Sequence, residues 1–180
     1  MDPRTSGIIA GSVIGAVVFI ICCCVCCSIC TKTRYKLWKG WSFYSNTSYV
    51  KTGMAMHNDL AQSIFQSGNF ESFYHQYNKY HGPFQMKLGF HPQAGYVVHG
   101  GGKDDVGTYV ITGMYSPRTL RMGLDKHYQP GTGDPNENLG HVVKIQVEWS
   151  FVNQQFEGKY YLRTNKHRDE NLFIIRFAAT

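Results

Sequence analysis

All six cysteines of the chain, Cys22, Cys23, Cys24, Cys26, Cys27 and Cys30, lie at one end of an uncharged apolar run, residues 7–30, and the 150 residues that follow contain none. This feature constrains the fold most. Twenty-four helical residues rise about 36 Å, enough to cross the hydrocarbon core of a bilayer. Free thiols behave as small hydrophobes, so the cysteines leave the run unbroken. The chain then reads as a short tail over residues 1–6, a transmembrane helix over 7–30, a basic segment over 31–40, a tether over 41–67 and a disulfide-free domain over 68–180.

Immediately after the apolar run come Lys32, Arg34, Lys36 and Lys39 with no acidic residue, whereas the tail before it offers Arg4 and the terminal amine against Asp2. The positive-inside rule therefore puts the N-terminus outside and the C-terminal domain in the cytoplasm. The missing cysteines after position 30 agree with a reducing compartment. A cleaved signal peptide, releasing an extracellular domain, is the competing reading, but the run exceeds the apolar core of a signal and stops at lysines. Under that reading alone the triplet Asn46-Thr47-Ser48 would serve as a glycosylation acceptor.

Cysteines at the cytoplasmic end of a membrane helix, beside basic and aromatic residues, are placed for S-acylation, and Cys22, Cys23, Cys24, Cys26, Cys27 and Cys30 are the candidates. Spread around a helix, they do not converge on one metal ion. Gly7, Gly11 and Gly15 recur every fourth residue and mark one face for helix pairing, hence a homodimer through the membrane segment. The net charge of +6 is concentrated before position 68, where six Lys and Arg face two acids; from there on it is twelve against ten. Lys32, Arg34, Lys36, Trp38 and Lys39 accordingly read as a contact with anionic headgroups, and nucleic-acid binding lacks support.

The tether is polar and aromatic, and its spacing predicts a short helix over 58–65, capped by Asn58 with Leu60, Ile64 and Phe65 on one side. Beyond it the pattern changes to a period of two. Phe84, Met86, Leu88 and Phe90 alternate with polar residues or glycine; so do Leu120, Met122 and Leu124, and Val143, Ile145, Val147 and Trp149. Further strands are expected over 69–77, 95–100, 107–116, 155–163 and 171–177, separated by turn residues. Eight short strands with no room for helical crossovers give a mainly β fold. The expectation is an eight-stranded antiparallel up-and-down barrel, because closure removes the edges.

The opening Gly68-Asn69-Phe70, the partner Phe84-Gln85-Met86-Lys87-Leu88 and the run Gly107-Thr108-Tyr109-Val110-Ile111-Thr112-Gly113-Met114-Tyr115 resemble the strands of calycin barrels, the lipocalin and avidin group. Those open on Gly-x-Trp, and here Phe70 stands in the aromatic position. Gly101-Gly102-Lys103-Asp104-Asp105-Val106-Gly107 resembles a turn of barrel domains of this kind in eukaryotic single-pass membrane proteins. The resemblance spans about residues 68–177. It implies a barrel that binds small apolar ligands or serves as a protein-binding module, and it transfers no ligand-binding residue.

No catalytic constellation stands out. His99-Gly100-Gly101-Gly102 has the letters of an oxyanion loop, but the chain has no Gly-x-Ser-x-Gly elbow. Gly102-Lys103 continues into Asp104 and so makes no phosphate loop. Asp104 and Asp105 read as solvated turn acids, and the scattered histidines suggest no zinc site. The expectation is a non-enzymatic module with no cofactor or metal, whose partners are membrane lipid and a protein or small apolar ligand. A membrane-tethered hydrolase or isomerase using Asp104, Asp105 and His99 is the rival. Aromatic density leaves two roles open, a filled core or a ring-lined cavity, with Tyr109, Tyr115, Trp149 and Tyr160 as the cavity candidates.

Overall fold

A computed structural model describes residues 45–55, 61–164 and 168–179. Its body is made of eight antiparallel strands: β1 (Gly68–Gln76), β2 (Lys79–His91), β3 (Val97–Lys103), β4 (Thr108–Ser116), β5 (Arg121–Tyr128), β6 (Val142–Ser150), β7 (Gln155–Arg163) and β8 (Arg168–Phe177). Each pairs with the next, and β8 returns to β1 with Phe70 opposite Phe177 and Tyr74 opposite Phe173. The sheet is thus a closed barrel of the up-and-down kind, compatible with a calycin-like fold, and it has no free edge.

Every expected strand exists, and four run further than expected, β8 by starting at Arg168. β2 starts at Lys79, directly after a two-residue turn in which Tyr77 and Asn78 both have positive φ, 51° and 57°. Such a turn matches the twist of paired strands and lets them pair up to its edge. β3 runs on through Gly101 and Gly102 to Lys103, and β5 runs on to Tyr128.

The period of two sends Phe70, Leu88, Ile111, Met122, Leu124, Ile145, Val147, Phe156 and Ile175 into a continuous core. One end of the barrel is plugged. The short helix ahead of β1 puts Ile64 and Phe65 into it, and the Phe65 ring lies 4.6 Å from Tyr115, 5.5 Å from Phe90 and 5.6 Å from Phe156. That helix spans Ala61–Ile64; the expected cap Asn58 and Leu60 lie outside the described residues.

A helix not expected from the sequence, α1 (Asn46–Lys51), lies within the stretch read as a tether; the plug helix is α2 (Ala61–Ile64). The Ser45 side chain caps α1 by accepting from the Ser48 amide at 3.1 Å. The helix rests on the outer wall of β4, β5 and β6. Contact is close because residue 123 is glycine: a Cβ there would stand 2.7 Å from that of Asn46. Gln146 donates to Asn46 Oδ1 at 3.2 Å, Thr119 Oγ1 to the Val50 carbonyl at 2.7 Å, and the Arg121 guanidinium lies over the Tyr49 ring. Burial, only partly offset by Arg121, pushes the Tyr49 hydroxyl up to about 12.

The expectations for Gly7, Gly11 and Gly15, for Cys22, Cys23, Cys24, Cys26, Cys27 and Cys30, and for Lys32, Arg34, Lys36, Trp38 and Lys39 fall outside the described residues. Among the described residues no helix is long and apolar enough to cross a membrane.

Candidate functional site

Opposite the plugged end, the β1–β2 turn, the β3–β4 loop and the β5–β6 loop surround a cavity of about 380 Å³. This is within the range of small-molecule sites. Tyr74, Val143, Leu162 and Phe173 supply apolar wall, Tyr128, His141, Tyr160 and Asp169 supply polar groups, and Tyr77, Glu137 and Leu139 stand toward the rim.

A lysine also lines it. Met122, Leu124, Lys126 and Tyr128 follow one another along the inner face of β5, so the same alternation that buries the methionine and the leucine buries Lys126, which is 3% exposed. Its ammonium donates to Asp104 Oδ2 and lies 4.0 Å from the centre of the Tyr109 ring and 4.8 Å from that of Tyr128. Ring faces carry negative potential and favour a cation placed this way. Burial nevertheless dominates and lowers the Lys126 pKa from its ordinary 10.5, with Asp104 opposing the shift.

Asp104 is held from four directions. Its Oδ1 accepts from the amides of Val106 and Gly107, each at 3.0 Å, and its Oδ2 accepts from Lys126 and, at 2.7 Å, from the Tyr128 hydroxyl. The sequence reading of a solvated turn acid is corrected here: the β3–β4 loop turns inward and Asp104 ties it together from within. The neighbouring Asp105 takes a separate set, accepting from the Tyr74 hydroxyl and lying 2.5 Å from His81 Nδ1. The His81 ring stacks on Tyr74 at 4.7 Å between centres. Tyr160 completes the polar lining, its hydroxyl 2.5 Å from Asp169 Oδ2 and 3.1 Å from the His75 carbonyl.

Burial first, and the adjacent carboxylates second, push the hydroxyls of Tyr74, Tyr128 and Tyr160 well above the ordinary tyrosine value. They stay neutral donors at physiological pH. Tyr109 is raised as well, by burial and by the charge of Asp104.

Of the four aromatic candidates, Tyr160 lines the cavity, and Tyr109 lies beneath it against the Lys126 ammonium. Room for the Tyr109 ring is made by Gly102, its partner across β3 and β4, where a Cβ would come within 2.7 Å of the Tyr109 hydroxyl. Tyr115 and Trp149 belong to the plugged end, against Phe65 and Phe156. His99 sits outward on β3 near His91 and does not join Asp104 and Asp105; the histidine at Asp105 is His81.

Lys126, Tyr128 and His81 were not singled out by sequence reasoning. A signal existed for the first two: the run Leu120, Met122, Leu124, continued by two more steps, reaches Lys126 and Tyr128. No local signal links His81 to Asp105, since β1–β2 and β3–β4 meet there only through the barrel.

Chemically the site offers flat apolar surfaces, neutral hydroxyl donors and a desolvated amine with a fixed carboxylate partner. Among the described residues no group of three or more metal-ligating side chains occurs. No protein-family model, no curated protein and no solved structure matches the chain.

Proposed function

We propose that the chain is a non-enzymatic, single-pass membrane protein that presents its barrel on the cytoplasmic side as a lipocalin-like binding module for a small, flat, largely apolar ligand. The observation that carries the ligand reading is the cavity of about 380 Å³ at the unplugged end, walled by Tyr74, Val143, Leu162 and Phe173. A module that bound proteins alone would have no use for a hollow kept open against the packing density of a core. Membrane anchoring rests on the uncharged run over residues 7–30 and the cations after it. Acylation of its cysteines and helix pairing through Gly7, Gly11 and Gly15 belong to the same reading. Burial of Asn46 under Gly123 and Gln146 favours the cytoplasmic side, because the folded barrel leaves its amide no space for a glycan.

The test of ligand binding uses the full chain in detergent micelles titrated with 2-naphthalenemethanol, followed by quenching of tryptophan and tyrosine fluorescence. Saturable quenching is expected. It should be lost in Leu162→Trp, which fills the cavity, and kept in Val152→Trp, which alters a residue 91% exposed at the plugged end. Quenching unaffected by Leu162→Trp overturns the ligand site. Side of the membrane is read from a C-terminal tag in intact and permeabilised cells, with an acyl-exchange assay on the same sample; a tag exposed in intact cells overturns the cytoplasmic placement.

A further inference from the structure

We propose that Lys126 captures small aldehydes covalently, as a protonated imine whose counter-ion is Asp104. The proposal rests on the cavity being a ligand site and names the chemistry of its floor.

Three observations converge on it. Lys126 lines the cavity from an inward strand position that continues the run Met122, Leu124 on β5. A buried ion pair is seldom better for stability than a well-packed apolar pair of the same volume, so a lysine at this position calls for a use beyond packing. Secondly, an ammonium has three donors, and among the described residues Asp104 is the one acceptor that hydrogen-bonds it; its nearest other neighbours are the faces of Tyr109 and Tyr128. Thirdly, Asp104 does not depend on Lys126 for its place. Two backbone amides and the Tyr128 hydroxyl hold it, so it stays put when the nitrogen beside it changes from ammonium to imine.

Desolvation lowers the Lys126 pKa, which raises the share of neutral amine able to attack a carbonyl. The amine lone pair forms the C–N bond to the carbonyl carbon while Asp104 Oδ2 takes the ammonium proton. One proton passes from the attacking nitrogen to the carbonyl oxygen to give the carbinolamine hydroxyl. Asp104 then returns the proton it took to that hydroxyl, which leaves as water as the C–O bond breaks and the C=N bond forms, so that Asp104 is again a carboxylate. The net change is one aldehyde and one ammonium to one protonated imine and one water, with no oxidant or reductant. The remaining N–H points at Asp104, and Phe173, Val143 and Leu162 receive the tail.

Charge argues for a neutral carbonyl over an anionic ligand. Asp104 already occupies the ammonium, and two backbone amides and the Tyr128 hydroxyl hold it there, so a ligand carboxylate would have to displace a fixed counter-ion, which a neutral carbonyl does not.

The test incubates the full chain in detergent micelles with 2-naphthaldehyde, reduces with sodium cyanoborohydride, and maps adducts by mass spectrometry after digestion. The expected result is one adduct per chain, on Lys126, before the exposed Lys79, Lys87 and Lys103 react. Lys126→Arg, checked for folding by circular dichroism, keeps a cation against Asp104 and should lose the adduct. Adducts confined to exposed lysines overturn the proposal. The two levels separate through the alcohol: if 2-naphthalenemethanol quenches fluorescence saturably while the aldehyde leaves Lys126 unmodified, the ligand site stands and covalent capture falls. If neither engages the cavity, both fall.

Discussion

The two ends of the barrel are built from the same strands and solve opposite problems. At the plugged end Phe65, Phe90, Tyr115 and Phe156 pack ring against ring around one another, and Trp149 lies on Phe156 at 4.9 Å. At the other end the inward positions carry Lys126, Tyr128, Tyr74 and Tyr160, held by carboxylates around a hollow. The difference teaches that stability and the candidate site are separable along the barrel axis. Dispersion and apolar burial are greatest where nothing needs to enter, and desolvated polar groups gather where something does.

The strongest way to break this comparison is a pair of single substitutions read by denaturant unfolding. Phe156→Ala at the plugged end should cost about 4 kcal/mol, as expected for a fully buried ring. Asp104→Ala should cost about 3 kcal/mol, because it strands a buried ammonium. The double variant Lys126→Met with Asp104→Asn sharpens the point. With charge removed from both partners, stability should return to within about 1 kcal/mol of the parent. A double variant as unstable as Asp104→Ala would show that the polar end is structural too, and the separation would fail.

Smaller effects refine it. Tyr160→Phe removes the hydroxyl between Asp169 and the His75 carbonyl and should cost about 1 kcal/mol, seen as a lower midpoint with unchanged slope. The smallest effect at neutral pH comes from tyrosine ionisation. Folding raises the pKa of Tyr74, Tyr109, Tyr128 and Tyr160 above the unfolded value of 10.0, so the folded state holds more protons above that pH. Their contribution is intact below pH 10.0 and is lost as pH rises beyond it. Alkaline titration followed by tyrosinate absorbance should show a late class that ionises together with unfolding. Lys126 runs the other way: its lowered pKa means that its burial is least favourable at low pH and eases as pH rises through the folded value.

Much of the fold was legible because strand alternation is a local property. Val143, Ile145, Val147 and Trp149 declare a half-buried strand without reference to anything else in the chain, and the turn residues between such runs count the strands. α1 was not legible. Asn46-Thr47-Ser48 reads as polar loop, and the helix is fixed by Gly123, Gln146 and Thr119, which contact it across 69 residues or more. The site was partly legible for a related reason. Tyr160 is aromatic and inward by pattern, but Asp104 looks like any acid in a glycine-rich turn until the barrel closes and brings Lys126 and Tyr128 over it. Charge on a residue conceals inward orientation from a pattern built on hydropathy, which is why Lys126 was passed over.

The seam between β1 and β8 joins Phe70 to Phe177 and Tyr74 to Phe173, pairing the first strand of the barrel with the last. During synthesis β1 leaves the ribosome about a hundred residues before its second partner exists, and long-range pairing of this kind is slow to form. Until β8 arrives, the nascent sheet has two open edges, each a template for another chain. A stop before β8 would therefore yield aggregation-prone protein instead of a smaller binding domain.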